Sequence, residues 1–334
     1  MEPGEIRFLS REEVRAGLDL ADCIRAVEEA FTSHARGLTP CAPGVLGAHL
    51  HGGGFHIKTA ALGAQPCYFA AKINGNFPLN PARHSLPTIQ GLIVLFDGER
   101  GVPLAVMDSI EITILRTAAA SAIAAKYLAK ASAATITICG CGNQGESHLR
   151  AMALVRPIRR ALAFDQNPER ARRFALERGR ELGIEVVPVD SLAGAVRASD
   201  ICVTCTPSRE PIVTAAMLHP GLFIAAVGAD SQDKQELTPE VLQRSKVVVD
   251  LLEQAATIGE LHHAMVAGVM ARGEVHGELG QVVVGERPGR VSDQEIFVFD
   301  STGTALQDVA AAALVYERAG TAGRGTILSL ARAS

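Results

Sequence analysis

A run of glycines and one acidic residue a strand later carry the most legible chemistry in this chain. Gly140-Cys141-Gly142-Asn143-Gln144-Gly145 follows the apolar stretch TITIC and opens a helical stretch from Gly145 to Leu154. In such a turn Gly140 permits the tight bend and Gly142 lets the backbone approach a pyrophosphate. Gly145 lets helix and strand pack closely, with the phosphates at the positive end of the helix. The next apolar stretch, RALAF, leads into Asp165. A carboxylate there accepts hydrogen bonds from ribose hydroxyls and repels a 2′-phosphate, which favours NAD(H) over NADP(H). Arg170, Arg172 and Arg173 follow; they either form a solvated helix face or soften that preference.

Three further charges lie among apolar residues: Lys72 in YFAAKINGNFP, Arg116 in EITILRTAAAS and Asp230 in VGADSQDKQEL. Hydride exchange at the α-carbon of an amino acid needs a cationic cradle for the carboxylate and an acid/base near the reacting nitrogen. Lys72 and Arg116 suit the cradle; Asp230 and Lys72 are the candidates for catalysis. Asp230 follows the strand-like LFIAAVG, at the carboxyl end where ligands gather in parallel sheets. Each has a plainer reading on its own. A lysine in a strand can reach solvent with its head group, and an aspartate after a strand can cap a helix.

The elements that must position these residues fall into three regions. Residues 1–132 open with helices, starting from the capping box Ser10-Arg11-Glu12-Glu13 and an amphipathic run through Phe31. Strands follow at Gly54–Leu62, Tyr68–Asn74 and Thr88–Phe96, then the hairpin turn Asp97–Gly101, a return strand Pro103–Met107 and an alanine-rich helix from Ile112 to Ala129. From Ala133 to about Thr302, TITIC, RALAF, IEVVPV, ICVTC, LFIAAVG, KVVVD and IFVFD alternate with helical stretches, the pattern of a parallel, doubly wound sheet. The remainder, 303–334, reads as helical. The fold class expected is α/β: a Rossmann-type domain over 133–302 beside a mixed α+β substrate and dimerisation domain formed by 1–132 with 303–334.

Bulk properties exclude several other classes. The net charge of −4 and the lack of basic blocks argue against nucleic acid as a partner. No run is long and apolar enough to suggest a bilayer span, and the N-terminus does not read as a secretory signal, so a cytoplasmic location is expected. Seven cysteines, an odd number, do not make a disulfide framework. Cys139-x-Cys141 and Cys202-x-x-Cys205 lie in strand-like runs without the turn residues of a zinc knuckle, and no metal is expected.

In order along the chain stand Lys72-Ile73-Asn74-Gly75-Asn76 with Pro78, Leu86-Pro87-Thr88, LFDGERGVPLAVMDS, ITILRTAAAS, CGCGNQG, VGADSQDKQEL and DSTGTALQDVA. This series resembles the ornithine cyclodeaminase/mu-crystallin family over essentially the whole chain. The resemblance implies that Lys72 and Arg116 bind a substrate carboxylate, that Asp230 is the acid/base and that Thr88 lines the pocket. It implies cofactor contacts at Asn143, Gln144, Asp165, Thr206, Val227 and Ser301, with Lys234 and Glu236 in the loop of Asp230. It also implies a homodimer paired through the first domain.

The chain departs from the ornithine enzymes of that family at one place. Where they carry a further arginine after Thr-Pro, this chain reads Thr39-Pro40-Cys41. The strand GFHIKTA offers His56 and Lys58 instead, both on one face. Lys58 falls about where the family has an apolar pocket residue, and His56 where its cyclodeaminases hold the second amine with an acid. A diamine would there lose a charge-assisted partner and meet a cation. The expected activity is therefore NAD(H)-dependent oxidoreduction at the CH–NH2 or C=N group of a small α-amino or α-imino acid, of the alanine dehydrogenase or ketimine reductase kind. The alternatives are cyclodeamination of ornithine or a related diamino acid, with no net redox, and a non-catalytic binding protein like the mu-crystallins.

Overall fold

Ser10 begins the first helix as its sequence indicates. Its side chain accepts from the Glu13 amide, and the Glu13 carboxylate accepts in return from the Ser10 amide at 2.9 Å. That helix, Arg11–Gly17, is short, because Asp19 caps a second one, Leu20–Ala35, so the amphipathic run is two helices rather than one. The computed structural model describes residues 4–63 and 65–330; the expectations for 1–3 and 331–334 lie outside it. The chain divides into two compact units, Met1–Arg116 with Thr304–Ser334, and Thr117–Gly303.

In the first unit, strands β1 (Glu5–Leu9), β2 (Gly44–Leu50), β3 (Gly53–Leu62), β4 (Tyr68–Asn76), β5 (Ile89–Asp97) and β6 (Pro103–Asp108) join a C-terminal strand, Thr326–Ser329. The sheet runs C-terminal strand, β1, β6, β5, β4, β3, β2, antiparallel except for β1 against β6. Asp97 shapes the β5–β6 turn by accepting from the amides of Glu99 and Arg100 at 2.9 and 3.0 Å, and Gly101 takes the left-handed φ of 68°. Register places Lys58, Lys72, Ile93 and Met107 in one row across β3 to β6. That face is buried beneath the helix Ala305–Thr321, which packs on β3, β4 and the helix Leu20–Ala35. The opposite row, Leu46, Ile57, Ile73 and Leu92, leaves Leu46, Ile73 and Leu92 exposed.

In this unit three strands depart from the helical or unstructured reading of their sequences. β1 and β2 have no extended alternation long enough to mark them. The C-terminal strand is exposed along its length and is held by pairing to β1. Backbone hydrogen bonds order an edge strand without an apolar pattern, so periodicity carries no signal there.

In the second unit eight parallel strands follow the order β13-β12-β14-β11-β10-β7-β8-β9. They are β7 (Thr135–Cys139), β8 (Arg160–Phe164), β9 (Glu185–Pro188), β10 (Ile201–Thr204), β11 (Phe223–Ala226), β12 (Lys246–Val249), β13 (Gly277–Glu278) and β14 (Phe297–Asp300). From β7 the chain winds outward to β8 and β9, then returns to β10 on β7's other side. The fold is thus a doubly wound parallel sheet with a switch point between β7 and β10. Val203, Ile224, Val248, Val298 and Phe299 are fully buried, as expected of strands covered on both faces. Among the described residues no helix is long and apolar enough to cross a membrane.

Candidate active site

The three glycines after β7 do three different jobs. Gly140 has φ of 103°, and a Cβ there would stand 2.9 Å from the Cys205 carbonyl oxygen. Gly145 lies under the first turn of the helix Asn143–Val155, where a Cβ would meet the Gly140 oxygen at 2.1 Å. Gly142 is the opposite case, since a Cβ built on it finds nothing within 4 Å. Its bare backbone faces open space at the helix N-terminus, the room a pyrophosphate requires. Asn143 and Gln144 form the first turn, and the buried Gln144 Oε1 has no hydrogen-bond partner among the described residues.

Asp165, directly after β8, is fixed by its own backbone surroundings. One oxygen accepts from the Cys141 amide at 2.9 Å, the other from the Asn167 amide at 2.9 Å, and Arg170 Nη1 stands 3.8 Å away. The carboxylate therefore ties the glycine turn to the next strand while lining a cleft of about 550 Å³ with Gly140, Gly142, Arg170, Thr206 and Ser208. That volume suits a bound cofactor. Arg170 lines this cleft, whereas Arg172 pairs with Glu169 on the exposed helix face.

Across the carboxyl edge of the sheet, in strand order β14, β11, β10, β7, β8, stand Ser301, Val227, Thr206, Gly140 and Asp165. Ser301 is buried and its hydroxyl has no partner among the described residues. Thr206 gives its amide and hydroxyl hydrogens to Glu236 Oε1 at 2.6 and 2.7 Å. Glu236 Oε2 accepts from the Gly228 amide at 2.8 Å, so this wholly buried carboxylate clasps the loops after β10 and β11 together. Burial raises its affinity for a proton, against the hydrogen bonds from Thr206 and Gly228. The sequence placed Glu236 in the right loop but gave it no task.

Asp230 stands four residues beyond β11 and is not a helix cap. The next helix, Pro239–Gln243, has Thr238 at its N-cap. The Asp230 carboxylate, 41% exposed, accepts from Lys234 Nζ at 2.6 Å. A partly exposed carboxylate in the loop beyond a strand's carboxyl end is within reach of a ligand there.

In the first unit Lys72 and Arg116 do not reach solvent. Each is nearly fully buried, and both converge on a carboxylate that sequence reasoning passed over. Asp308, 1% exposed, has Lys72 Nζ 2.7 Å from each of its oxygens and Arg116 Nε at 3.0 Å. Arg116 also donates to Gln307 Oε1 at 2.7 Å, leaving the buried Gln307 Nε2 with no acceptor among the described residues. Burial first, then the charge of Arg116, pushes the Lys72 ammonium down to about 7, although Asp308 pulls the other way. Asp308 is lowered, since the two cations outweigh its burial. Asp308 and Gln307 sit in the first turn of a helix reading ALQDVAAAALV. The signal that could have found them is a polar pair in an otherwise apolar helix.

Lys58 points inward beside Lys72, directly opposite it in the β3–β4 register, and is 6% exposed. His56, two residues earlier on the same face, is half-buried. Thr88 precedes β5; its carbonyl accepts from the Phe77 amide at 2.8 Å and its side chain is half-buried. Cys139 and Cys202 are buried in β7 and β10, and burial raises both thiols far from the thiolate form that binds metals.

A model of the ornithine cyclodeaminase/mu-crystallin family matches residues 5–323. The chain belongs to that family. It is 39% identical to the alanine dehydrogenase of Archaeoglobus fulgidus, over 94% of this chain and 95% of that one. It is 34% identical to the iminosuccinate reductase of Paracoccus denitrificans, over 93% and 96%. Among solved structures, an archaeal alanine dehydrogenase dimer with bound NAD superposes with a TM-score of 0.93 at 38% identity, covering 98% of this chain and 99% of that one. The Δ1-pyrroline-2-carboxylate reductase of Thermococcus litoralis, with NADH and L-proline, gives 0.90 at 34% identity, covering 96% and 99%.

Proposed function

We propose that this family member is an NAD(H)-dependent oxidoreductase acting on the CH–NH2 or C=N group of a small α-amino or α-imino acid. The observation that carries the reading is the buried group of Lys72, Arg116 and Gln307 around Asp308, in a chain that also carries a dinucleotide turn. One carboxylate, Asp308, faces two buried cations, and Gln307 Nε2 has no acceptor among the described residues, so a second carboxylate would balance the charge and accept from that amide.

Residues Gly140, Gly142, Asn143, Gln144, Gly145, Asp165, Thr206, Val227 and Ser301 would hold NAD(H). Two features fit that assignment: the open space at Gly142 and the Ser301 hydroxyl at the carboxyl edge, which has no partner among the described residues. When bound, the nicotinamide supplies or takes the hydride at the substrate α-carbon. Arg116, with Gln307 Nε2, binds the α-carboxylate and orients that carbon; Thr88 lines the pocket. Lys72 adds a charge to the carboxylate and, with an affinity near neutrality, can hold or release a proton at Nζ. Asp230 takes the proton from the substrate ammonium or from an attacking water, and gives it back in the reductive direction. Asp308 touches no substrate atom; it keeps the two cations in place.

The work divides between a substrate and dimerisation part and a nucleotide part in a cytoplasmic enzyme; the sequence puts their boundary at 132/133, whereas the compact units divide at Arg116/Thr117. The exposed row Leu46, Ile73 and Leu92 on the open sheet face supports a homodimer. Cyclodeamination fits less well, because a diamine's distal ammonium would meet buried Lys58. A panel of amino acids, and of keto acids with ammonia or amines, followed at the nicotinamide absorbance, tests the reading. Ornithine is assayed separately for proline. Turnover of ornithine alone, or of nothing in the panel, would refute it.

A further inference from the structure

We propose that Lys58 binds a second carboxylate, so that the substrates are dicarboxylic α-amino or α-imino acids. The inference rests on the reading of Lys72 and Arg116 as holders of the α-carboxylate. Lys58 and Lys72 are direct partners across β3 and β4, so both side chains leave the same face of the sheet. Directly opposed residues hold their Cβ atoms about 4.5–5.5 Å apart, so the two lysine side chains start side by side on the buried face. Both lysines are buried, at 6% and 3% exposure, and burying a second ammonium there is costly.

Charge shows that Lys58 belongs to this group. Its field disfavours the protonated form of Lys72 and favours the ionised form of Asp308. For a substrate with one carboxylate, such a neighbour weakens the cradle, because it makes Lys72 a poorer cation. For a substrate with two, it becomes a binding group: the α-carboxylate lies with Arg116 and Lys72, the distal one with Lys58. His56 is the next residue of β3 on the same face.

The test compares oxaloacetate with pyruvate, each with ammonium and NADH, and aspartate with alanine in the oxidative direction. The expected wild-type result is a higher kcat/KM for the dicarboxylates. Lys58→Met should lower the dicarboxylate-to-monocarboxylate ratio about ten- to hundred-fold, the size of one charge-assisted contact. Lys58→Arg, which keeps the charge, should retain the preference. As a readout without turnover, succinate should raise the melting temperature more than propionate, and Lys58→Met should erase the difference. Turnover of monocarboxylates in preference, or an unchanged ratio in Lys58→Met, overturns this inference and leaves the oxidoreductase reading standing. Failure of both substrate classes overturns the two together.

Discussion

Lys72 Nζ lies 2.7 Å from both carboxylate oxygens of Asp308, a residue 236 positions further along the chain. The pair joins a strand of the sheet to the helix that covers it, and both partners are buried. Removing one partner of a buried pair leaves an uncompensated charge, which costs about 3–5 kcal/mol. Asp308→Asn should therefore lower the unfolding free energy by about that amount, read by urea titration. Replacing the pair together, Lys72→Met with Asp308→Leu, should recover much of the stability but none of the activity. An Asp308→Asn protein within about 1 kcal/mol of wild type would show that the contact holds little of the fold together.

Arg116→Ala tests the cradle from its other side. The guanidinium bonds Gln307 and Asp308, and by the proposed reading a substrate carboxylate as well. Loss of such a charge-assisted contact should cost about 2–4 kcal/mol in kcat/KM. NADH affinity, measured by fluorescence, should stay close to wild type. A collapse of cofactor binding instead would make Arg116 a nucleotide residue.

The depressed Lys72 gives a pH dependence with a definite sign. In the unfolded chain this lysine keeps its proton up to about its ordinary 10.5, but in the fold only to about 7. Between those values the unfolded state binds more protons, so the contribution of Lys72 to stability increases as pH rises through that window and is least favourable below 7. For binding the sense is opposite. The protonated form attracts a carboxylate, so KM should climb as pH rises through about 7. Lys58→Met removes a like charge and should move that inflection upward. A KM flat from pH 6 to 9 would count against Lys72 as a carboxylate ligand.

Cofactor choice rests on Asp165, with Arg170 on the same cleft. NADH should bind more tightly than NADPH. Asp165→Ser should narrow the difference in two ways: it loosens the Cys141 amide from its partner, weakening NADH, and it frees Arg170 to meet a 2′-phosphate. Titrations of both nucleotides against both proteins measure it, and equal affinities in the unmodified enzyme would dispose of the preference.

The nucleotide turn was legible because its physics is local: glycine conformations, the strand before and the helix after lie within one short stretch. The parallel sheet was legible because strands buried on both faces read as continuous apolar runs. Lys58 posed a harder problem, since a one-residue shift in register turns it from the buried face to the open one, and sequence leaves that register undetermined. Asp308 and Glu236 escaped for another reason. Each acts through partners far away in sequence, Lys72 for one and Thr206 for the other. The neighbours of Asp308 record at most a polar pair in an apolar helix, and not what that pair meets. Edge strands such as Thr326–Ser329 carry no apolar pattern to read.

Asp230→Asn separates an enzyme from a binding protein of the same family. The substitution keeps the shape of the side chain and an oxygen for Lys234 Nζ, but it removes the ability to take up a proton. Its side chain is 41% exposed and its ion pair with Lys234 lies partly in solvent. Such pairs contribute about 0–1 kcal/mol, so the melting temperature should move little. NADH affinity should also hold, because of the residues proposed to hold the cofactor only Val227 lies in the loop after β11, and the substitution at Asp230 leaves it unchanged. Turnover is the quantity that should fall. Loss of a positioned general acid/base lowers the rate about a hundred- to ten-thousand-fold, and the deficit should shrink for steps that need no proton transfer. Single-turnover hydride transfer from NADH, against the steady-state rate, resolves the two. If the variant instead turned over at a near-normal rate with the best substrate of the panel, Asp230 would have no part in the chemistry, and the acid/base would have to be Lys72 alone.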